Sequence, residues 1–318
     1  LHAQTFADRF TRLQTEIAKA VVGQEELVSG LLVATIARGH VLIEGAPGLG
    51  KTLVARALAA VSGCAFKRIQ FTPDLMPSDI TGSSVFDRQT SELRFVAGPV
   101  FTQMLLADEI NRAPAKTQSA LLEAMQDRTV TEGGTTRPLP APFLVFATQN
   151  PVESQGTYPL PEAQLDRFLF KLTVADPPAD VEHAIVKNQV MGFDPGHLAL
   201  DAVSSPAEIL EMQAHAQAVK VDDAIIGYIV DMVRRTRDDR AIELGASPRA
   251  SLALMRAAQV IAASAGRDFV TPDDVKPMAL PVMRHRVMLH PDAQLQGVTP
   301  DDRILEIVKA APVPRALG

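Results

Sequence analysis

The run Gly45-Ala46-Pro47-Gly48-Leu49-Gly50-Lys51-Thr52 constrains this chain more than any other segment. It reads G-x-x-x-x-G-K-[ST], a spacing that turns backbone N–H groups inward around phosphate oxygens. Such a loop needs a buried strand before it and a helix after it. Val41-Leu42-Ile43 is a short apolar run suited to the strand. Leu53-Val54-Ala55-Arg56-Ala57-Leu58-Ala59-Ala60 is rich in strong helix formers, and the positive end of that helix faces the anion. Nucleotide is therefore expected along Gly45, Ala46, Pro47, Gly48, Leu49, Gly50, Lys51, Thr52 and Leu53. Lys51 is expected to reach the β- and γ-phosphates, and Thr52 to set its hydroxyl on Mg²⁺.

Five strand-like runs alternate with helical ones: Val41–Ile43, Phe66–Phe71, Met104–Ala107, Phe143–Ala147 and Phe168–Val174. That alternation predicts an α/β domain built on a parallel sheet covered on both faces. Residues 5–37 read as two helices broken near Val22-Gly23-Gln24. After Asp176-Pro177-Pro178 the pattern turns helical, with start signals at Ser205-Pro206, Ser247-Pro248 and Thr271-Pro272. The division is expected between residues 1–178 and 179–318, which fits about two domains of ordinary size. Two segments exceed a minimal nucleotide-binding core. Thr72 to Val96 holds turn signals around short apolar runs, and Arg128 to Pro142 reads as a hairpin turning at Gly133-Gly134. Both are expected to be functional projections.

Composition narrows the surroundings. The 318 residues include one cysteine, Cys64, which excludes an internal disulfide framework and fits a reducing, cytoplasmic compartment; a packed core thiol is expected. No apolar run approaches the roughly 18 residues of a membrane span. No secretory leader is evident, and because the chain starts at Leu1, a short N-terminal piece is expected to be missing. A net charge of −6 and the absence of Trp argue against a generic nucleic-acid binder. His285-Arg286 and His290 lack metal-pair spacing and read as surface residues. The alternating charges from Arg234 to Arg240 read as a solvated helix end.

The partner motifs convert a binding loop into a hydrolysis site. Met104-Leu105-Leu106-Ala107-Asp108-Glu109 is a buried-strand run ending in two acids. Asp108 is expected to hold Mg²⁺ through its water, and Glu109 to polarise the attacking water. Asn150, past the next strand in Ala147-Thr148-Gln149-Asn150-Pro151, is expected to orient that water near the γ-phosphate. An Asn before Pro is by itself an ordinary turn residue, so its place after the strand carries the reading.

Together these motifs resemble the AAA+ ATPases, and in detail the MoxR family among them. The matching segments are Val22-Gly23-Gln24, residues 71–82, Asp108 to Ala113, Ala147 to Pro151, Leu160 to Phe168, and Gly245-Ala246-Ser247-Pro248-Arg249. The resemblance implies a central five-stranded parallel sheet between helices, hairpin inserts and a C-terminal all-α lid. It implies that Val22 and Gly23 touch the adenine, that Arg167 is an arginine finger for a neighbouring subunit's nucleotide, and that Arg249 is the lid arginine. Arg112 competes with Arg167 for the trans-acting role. A guanidinium on the transferring phosphoryl group is worth ~10³–10⁵ in rate. The resemblance further implies ATP and Mg²⁺ as cofactors and a homo-oligomer, a hexameric ring. Its clients would be proteins, including ones with von Willebrand factor A domains, remodelled in a chaperone-like way. The alternatives are the motor of a metal chelatase, a nucleic-acid-stimulated motor, and a slow nucleotide-gated scaffold.

Overall fold

The computed structural model describes residues 1–89, 91–151 and 156–314. The chain opens with helices α1 (Ala3–Ala18) and α2 (Glu25–Ile36). In α1 the spacing of Phe6, Phe10, Leu13 and Ile17 places one apolar stripe against the interior. Next come β1 (Val41–Gly45), α3 (Lys51–Val61), β2 (Phe66–Gln70), the short α4 (Pro77–Thr81) and the hairpin β3 (Gly82–Asp87) with β4 (Glu92–Ala97). They are followed by β5 (Met104–Asp108), α5 (Ala115–Asp127), the hairpin β6 (Thr129–Glu132) with β7 (Thr135–Pro138), β8 (Leu144–Gln149), α6 (Glu162–Leu165) and β9 (Phe170–Val174).

Five strands form one sheet in the order β2-β5-β8-β1-β9, every pair parallel. The continuous apolar runs of β1, β5 and β8 occupy its middle, where both faces are covered. β2 is an edge strand and buries only Ile69 fully. Because the strands are parallel, their carboxyl ends share one side, with Gln70 beside Asp108 and Glu44 beside Gln149. Ligands of such sheets gather along that edge.

All five expected strands are present, with shifted ends. The run expected at Phe143–Ala147 pairs as Leu144–Gln149, and the last strand starts at Phe170. The carbonyls of Phe168 and Leu169 are taken by the Arg286 side chain instead of a ladder. Both inserts are hairpins, and they touch: Arg137 on β7 lies 4.0 Å over the Phe95 ring on β4. Gly133 and Gly134 both have positive φ, which the two-residue turn between β6 and β7 requires.

The C-terminal half holds α7 (Ala179–Val190), α8 (Pro206–Gln217), α9 (Asp223–Asp238), α10 (Pro248–Ser264), α11 (Pro272–Met283), α12 (Pro291–Leu295) and α13 (Pro300–Ala310). A two-stranded antiparallel pair, β10 (Ile242–Leu244) and β11 (Met288–Leu289), lies among them. Ser205 and Ser247 cap α8 and α10 as their sequences require, accepting from Glu208 N and Arg249 N. One hydrophobic core joins α1, α2, α3, one face of the sheet and the lid helices. A second core on the opposite face holds α4, α5 and the hairpin bases. Cys64 is buried, and burial pushes its thiol up to about 12, as a packed core thiol should be.

Candidate active site

At the carboxyl edge of the sheet lies a cleft of about 570 Å³. Gly48 and Gly50 stand in it at φ 85° and 77°, a left-handed conformation that glycine adopts without steric cost. A β-carbon built on either would meet no atom within 4 Å, so both face open space. Gly50 is also the residue immediately before α3, so that helix starts at Lys51 with its positive end toward the cleft. Lys51 Nζ donates to the carbonyl oxygens of Gly45 at 2.5 Å and Ala46 at 3.0 Å. Burial pushes its ammonium below the usual lysine range, and Asp108 and Glu109 pull it back up.

The two acids are held by one hydroxyl. Thr148 Oγ1, on neighbouring β8, donates to Asp108 Oδ1 at 2.5 Å and accepts from Glu109 N at 2.9 Å. On the other side, Arg68 of β2 bonds Asp108 Oδ2 through Nε at 3.0 Å and a terminal nitrogen at 2.6 Å. Gln70 Nε2 donates to Glu109 Oε2 at 2.6 Å. Glu109 has a left-handed backbone, φ 56° and ψ 51°. A non-glycine residue holds that conformation only when its surroundings enforce it, and such strain gathers at functional sites. Arg68, Gln70 and Thr148 carry no expectation from the sequence. Thr148 has a signal, a polar side chain breaking an apolar strand beside its carboxyl end; Arg68 and Gln70 stand on an edge strand that is already polar, where nothing singles them out.

Thr52, Leu53, Val22 and Asn150 line the same cleft. Gly23 packs under α7, where a β-carbon would come within 2.3 Å of Val181 Cγ1. Ile185, Asn188 and Gln189 of α7, with Phe193 beyond it, close the far end of the cleft, and the sequence did not mark them. Among the described residues no three His, Cys, Asp or Glu side chains gather as a metal cluster. The hard oxygens of Thr52 and Asp108 suit Mg²⁺, which takes one or two protein oxygens and completes its shell with water and phosphate.

The arginines divide. Arg112 Nε lies 3.2 Å from Glu109 Oε2, on the near side of the site. Arg167 and Arg249 do not line the nucleotide cleft. They share a second cleft of about 310 Å³ with Arg38, Arg128, Arg256 and Arg286. Arg249, expected as the lid arginine, lies 3.9 Å from Asp166. Arg167 makes no ion pair with Glu162 or Asp166; the Asp166 carboxylate bonds Arg286 and Ser247. The expectation of a surface His285-Arg286 fails. Both are buried, because Arg286 pairs with Asp166 and His285 Nε2 bonds the Phe168 carbonyl at 3.1 Å. His290 is exposed, and the Arg234 to Arg240 segment is mostly so, as expected.

Comparison with known proteins decides the family. A model of the ATPase family associated with various cellular activities matches residues 40–170, and an AAA lid domain model matches residues 234–307. The chaperone MoxR1 of Mycobacterium tuberculosis is 44% identical over 94% of this chain and 81% of its own length. The chain belongs to the MoxR family of AAA+ ATPases. Another relative, YeaC of Bacillus subtilis, is 47% identical over 94% of the chain and 92% of its own length. The crystal structure of a candidate ATPase from Cytophaga hutchinsonii superposes with a TM-score of 0.91 at 37% identity, covering 98% of this chain and 97% of that one. This MoxR-family chain is a P-loop ATP hydrolase with an α/β nucleotide-binding domain and a helical lid. No helix among the described residues is long and apolar enough to cross a membrane.

Proposed function

We propose that this chain binds ATP with Mg²⁺ and hydrolyses it within a homo-oligomeric ring, a hexamer, to remodel or mature protein clients in the cytoplasm. The observation that carries the reading is the Thr148 hydroxyl, which fixes Asp108 and Glu109 together beside Lys51 and Thr52. Thr52 and Asp108 are the residues that hold Mg²⁺. Bound there, the ion supplies charge neutralisation on the phosphates. Lys51 binds phosphate, and Asn150 orients the water that Glu109 polarises. Val22 and Gly23 lie at the adenine end. The functional division falls between residues 178 and 179, where the loop after β9 leads into α7.

Arg167 and Arg249 act on a neighbour's nucleotide. Their separation from this chain's own phosphate loop supports that role, and Arg112, engaged with Glu109 in cis, is the weaker candidate. The hairpins are the client-facing parts. Val85, Phe86 and Leu93 on β3–β4 are exposed apolar side chains that a protein partner can cover. The chaperone name of the M. tuberculosis relative agrees with protein clients. Domains of the von Willebrand factor A type are the partner class that the family implies.

Glu109→Gln tests the core of the proposal. The variant is expected to keep ATP affinity and lose turnover. Normal turnover refutes the assignment of Glu109 and with it the mechanism.

A further inference from the structure

The His285-Arg286 pair, unremarkable in sequence, is heavily bonded to the turn before β9. The Arg286 side chain is only 3% exposed. Its Nε donates to Asp166 Oδ1 at 2.7 Å, and its terminal nitrogens donate to the carbonyl oxygens of Asp166, Phe168, Leu169 and Val282. His285 adds a second bond to Phe168 O. Asp166 Oδ2 accepts from Ser247 Oγ at 3.0 Å, at the start of α10. One carboxylate and the carbonyls of Asp166, Phe168 and Leu169, on either side of Arg167, are thus held by two elements of the lid.

Arg167 sits in the middle of that turn. The carbonyl before it and the carbonyl after it are both clamped, while its own side chain enters the arginine-lined cleft with Arg249. A buried ion pair is a poor source of net stability, since desolvation offsets its attraction. Its directional value is high, because a planar guanidinium fork fixes the orientation of whatever it bonds. Apolar packing would join lid and turn without the fixed bond directions that the guanidinium supplies.

We infer that Asp166 and Arg286 are positioning residues for turnover: they lock the lid to the turn that carries Arg167 and so aim Arg167 and Arg249 at one anionic target. The inference rests on the proposal that Arg167 serves a neighbour's nucleotide. The clamp transmits lid position to the arginine directly, with no part played by the chain's own phosphate loop. Asp166 and Arg286 do not line the nucleotide cleft, so ATP binding is independent of them.

A double-mutant cycle on the full chain tests this, with kcat and ATP affinity measured for Asp166→Asn, Arg167→Ala and the pair. Asp166→Asn is isosteric and is expected to lower kcat by about tenfold, leaving the ATP Kd within about twofold; in the Arg167→Ala background the same change is expected to cost less than about twofold, the non-additivity of residues acting through one another. Ser247→Ala removes one bond to the same carboxylate and is expected to give a smaller loss that is likewise absent without Arg167, which keeps the test open if Asp166→Asn folds poorly. Equal losses in both backgrounds, or an unchanged kcat for Asp166→Asn, overturn the clamp while leaving Arg167 in its role. Normal turnover by Arg167→Ala alone refutes the role of Arg167 and the clamp with it.

Discussion

Replacing Thr148 with valine probes the site at its narrowest point. The side chain is 1% exposed, and its single hydroxyl serves both acids, giving to Asp108 Oδ1 at 2.5 Å and taking from Glu109 N at 2.9 Å. Valine keeps the volume and removes the oxygen. Losing a bond to a charged group costs about 1.5–3 kcal/mol, and leaving the Glu109 N–H without a partner costs about 1–3 kcal/mol. Asp108 keeps its Arg68 contacts, so the total belongs at the lower end, about 2–3 kcal/mol. At roughly 2–4 °C per kcal/mol for a domain of this order, Tm should fall by roughly 5–10 °C. Turnover should fall further than stability alone requires, because the left-handed backbone of Glu109 loses the bond that holds it. If about half of the lost energy had been fixing the carboxylate, kcat drops by about tenfold. Differential scanning fluorimetry and a coupled ATPase assay read the two effects. Thr148→Ser keeps the hydroxyl and should retain most activity. A valine variant within about 1 °C and twofold of the parent refutes the view that this hydroxyl holds the acids.

Two further outcomes follow from other parts of the fold. His40 Nδ1 accepts from Val145 N at 3.0 Å, so its Nε2–H donates to the Met125 carbonyl, and burial lowers its pKa from 6.5 to about 4. The folded state therefore prefers neutral His40: its contribution is complete above pH 6.5 and is lost as pH falls toward 4, by about 3 kcal/mol. Denaturant midpoints measured across that range should decline more steeply for the parent than for His40→Gln, and parallel curves would contradict the assignment. Gly23→Ala, at φ 70° and with Val181 in the way, should push α7 off the cleft, weakening ATP binding several-fold in a fluorescence titration at a stability cost of about 1–2 kcal/mol; unchanged affinity would detach α7 from the nucleotide.

What was legible in the sequence depended on how local its cause was. The phosphate loop and the central strands are specified by adjacent residues, and the glycines at 48 and 50 and the apolar runs of β1, β5 and β8 appear where they were expected. Strand ends were less legible, since Phe168 and Leu169 surrender their carbonyls to an arginine nearly 120 residues away. The same distance hid Arg286, whose burial depends on Asp166 being folded beside it. Thr148 looked like one polar residue in an apolar run; only the pairing of β5 with β8 puts its oxygen between two acids. Arg249 was correctly given a capped helix start, but which cleft that start faces is decided by the packing of the lid.

The alternation of side chains in the sheet has its own consequence. Val41 and Ile43 enter the core shared with the lid, while Leu42 enters the core beneath the hairpins; Leu106 and Leu105, and Phe146 and Val145, divide in the same way. Along these strands the two cores are separated by one layer of backbone. A change of volume on the hairpin side therefore reaches the lid through a strand that is hydrogen-bonded to neighbours, or through the turn at Phe168, whose carbonyl the lid holds. Substitutions on the two sides should be close to additive in free energy where they share no partner. Such a sheet is a partition: its hairpin-side face can be rebuilt, residue by residue, while the packing between the other face and the lid helices is kept.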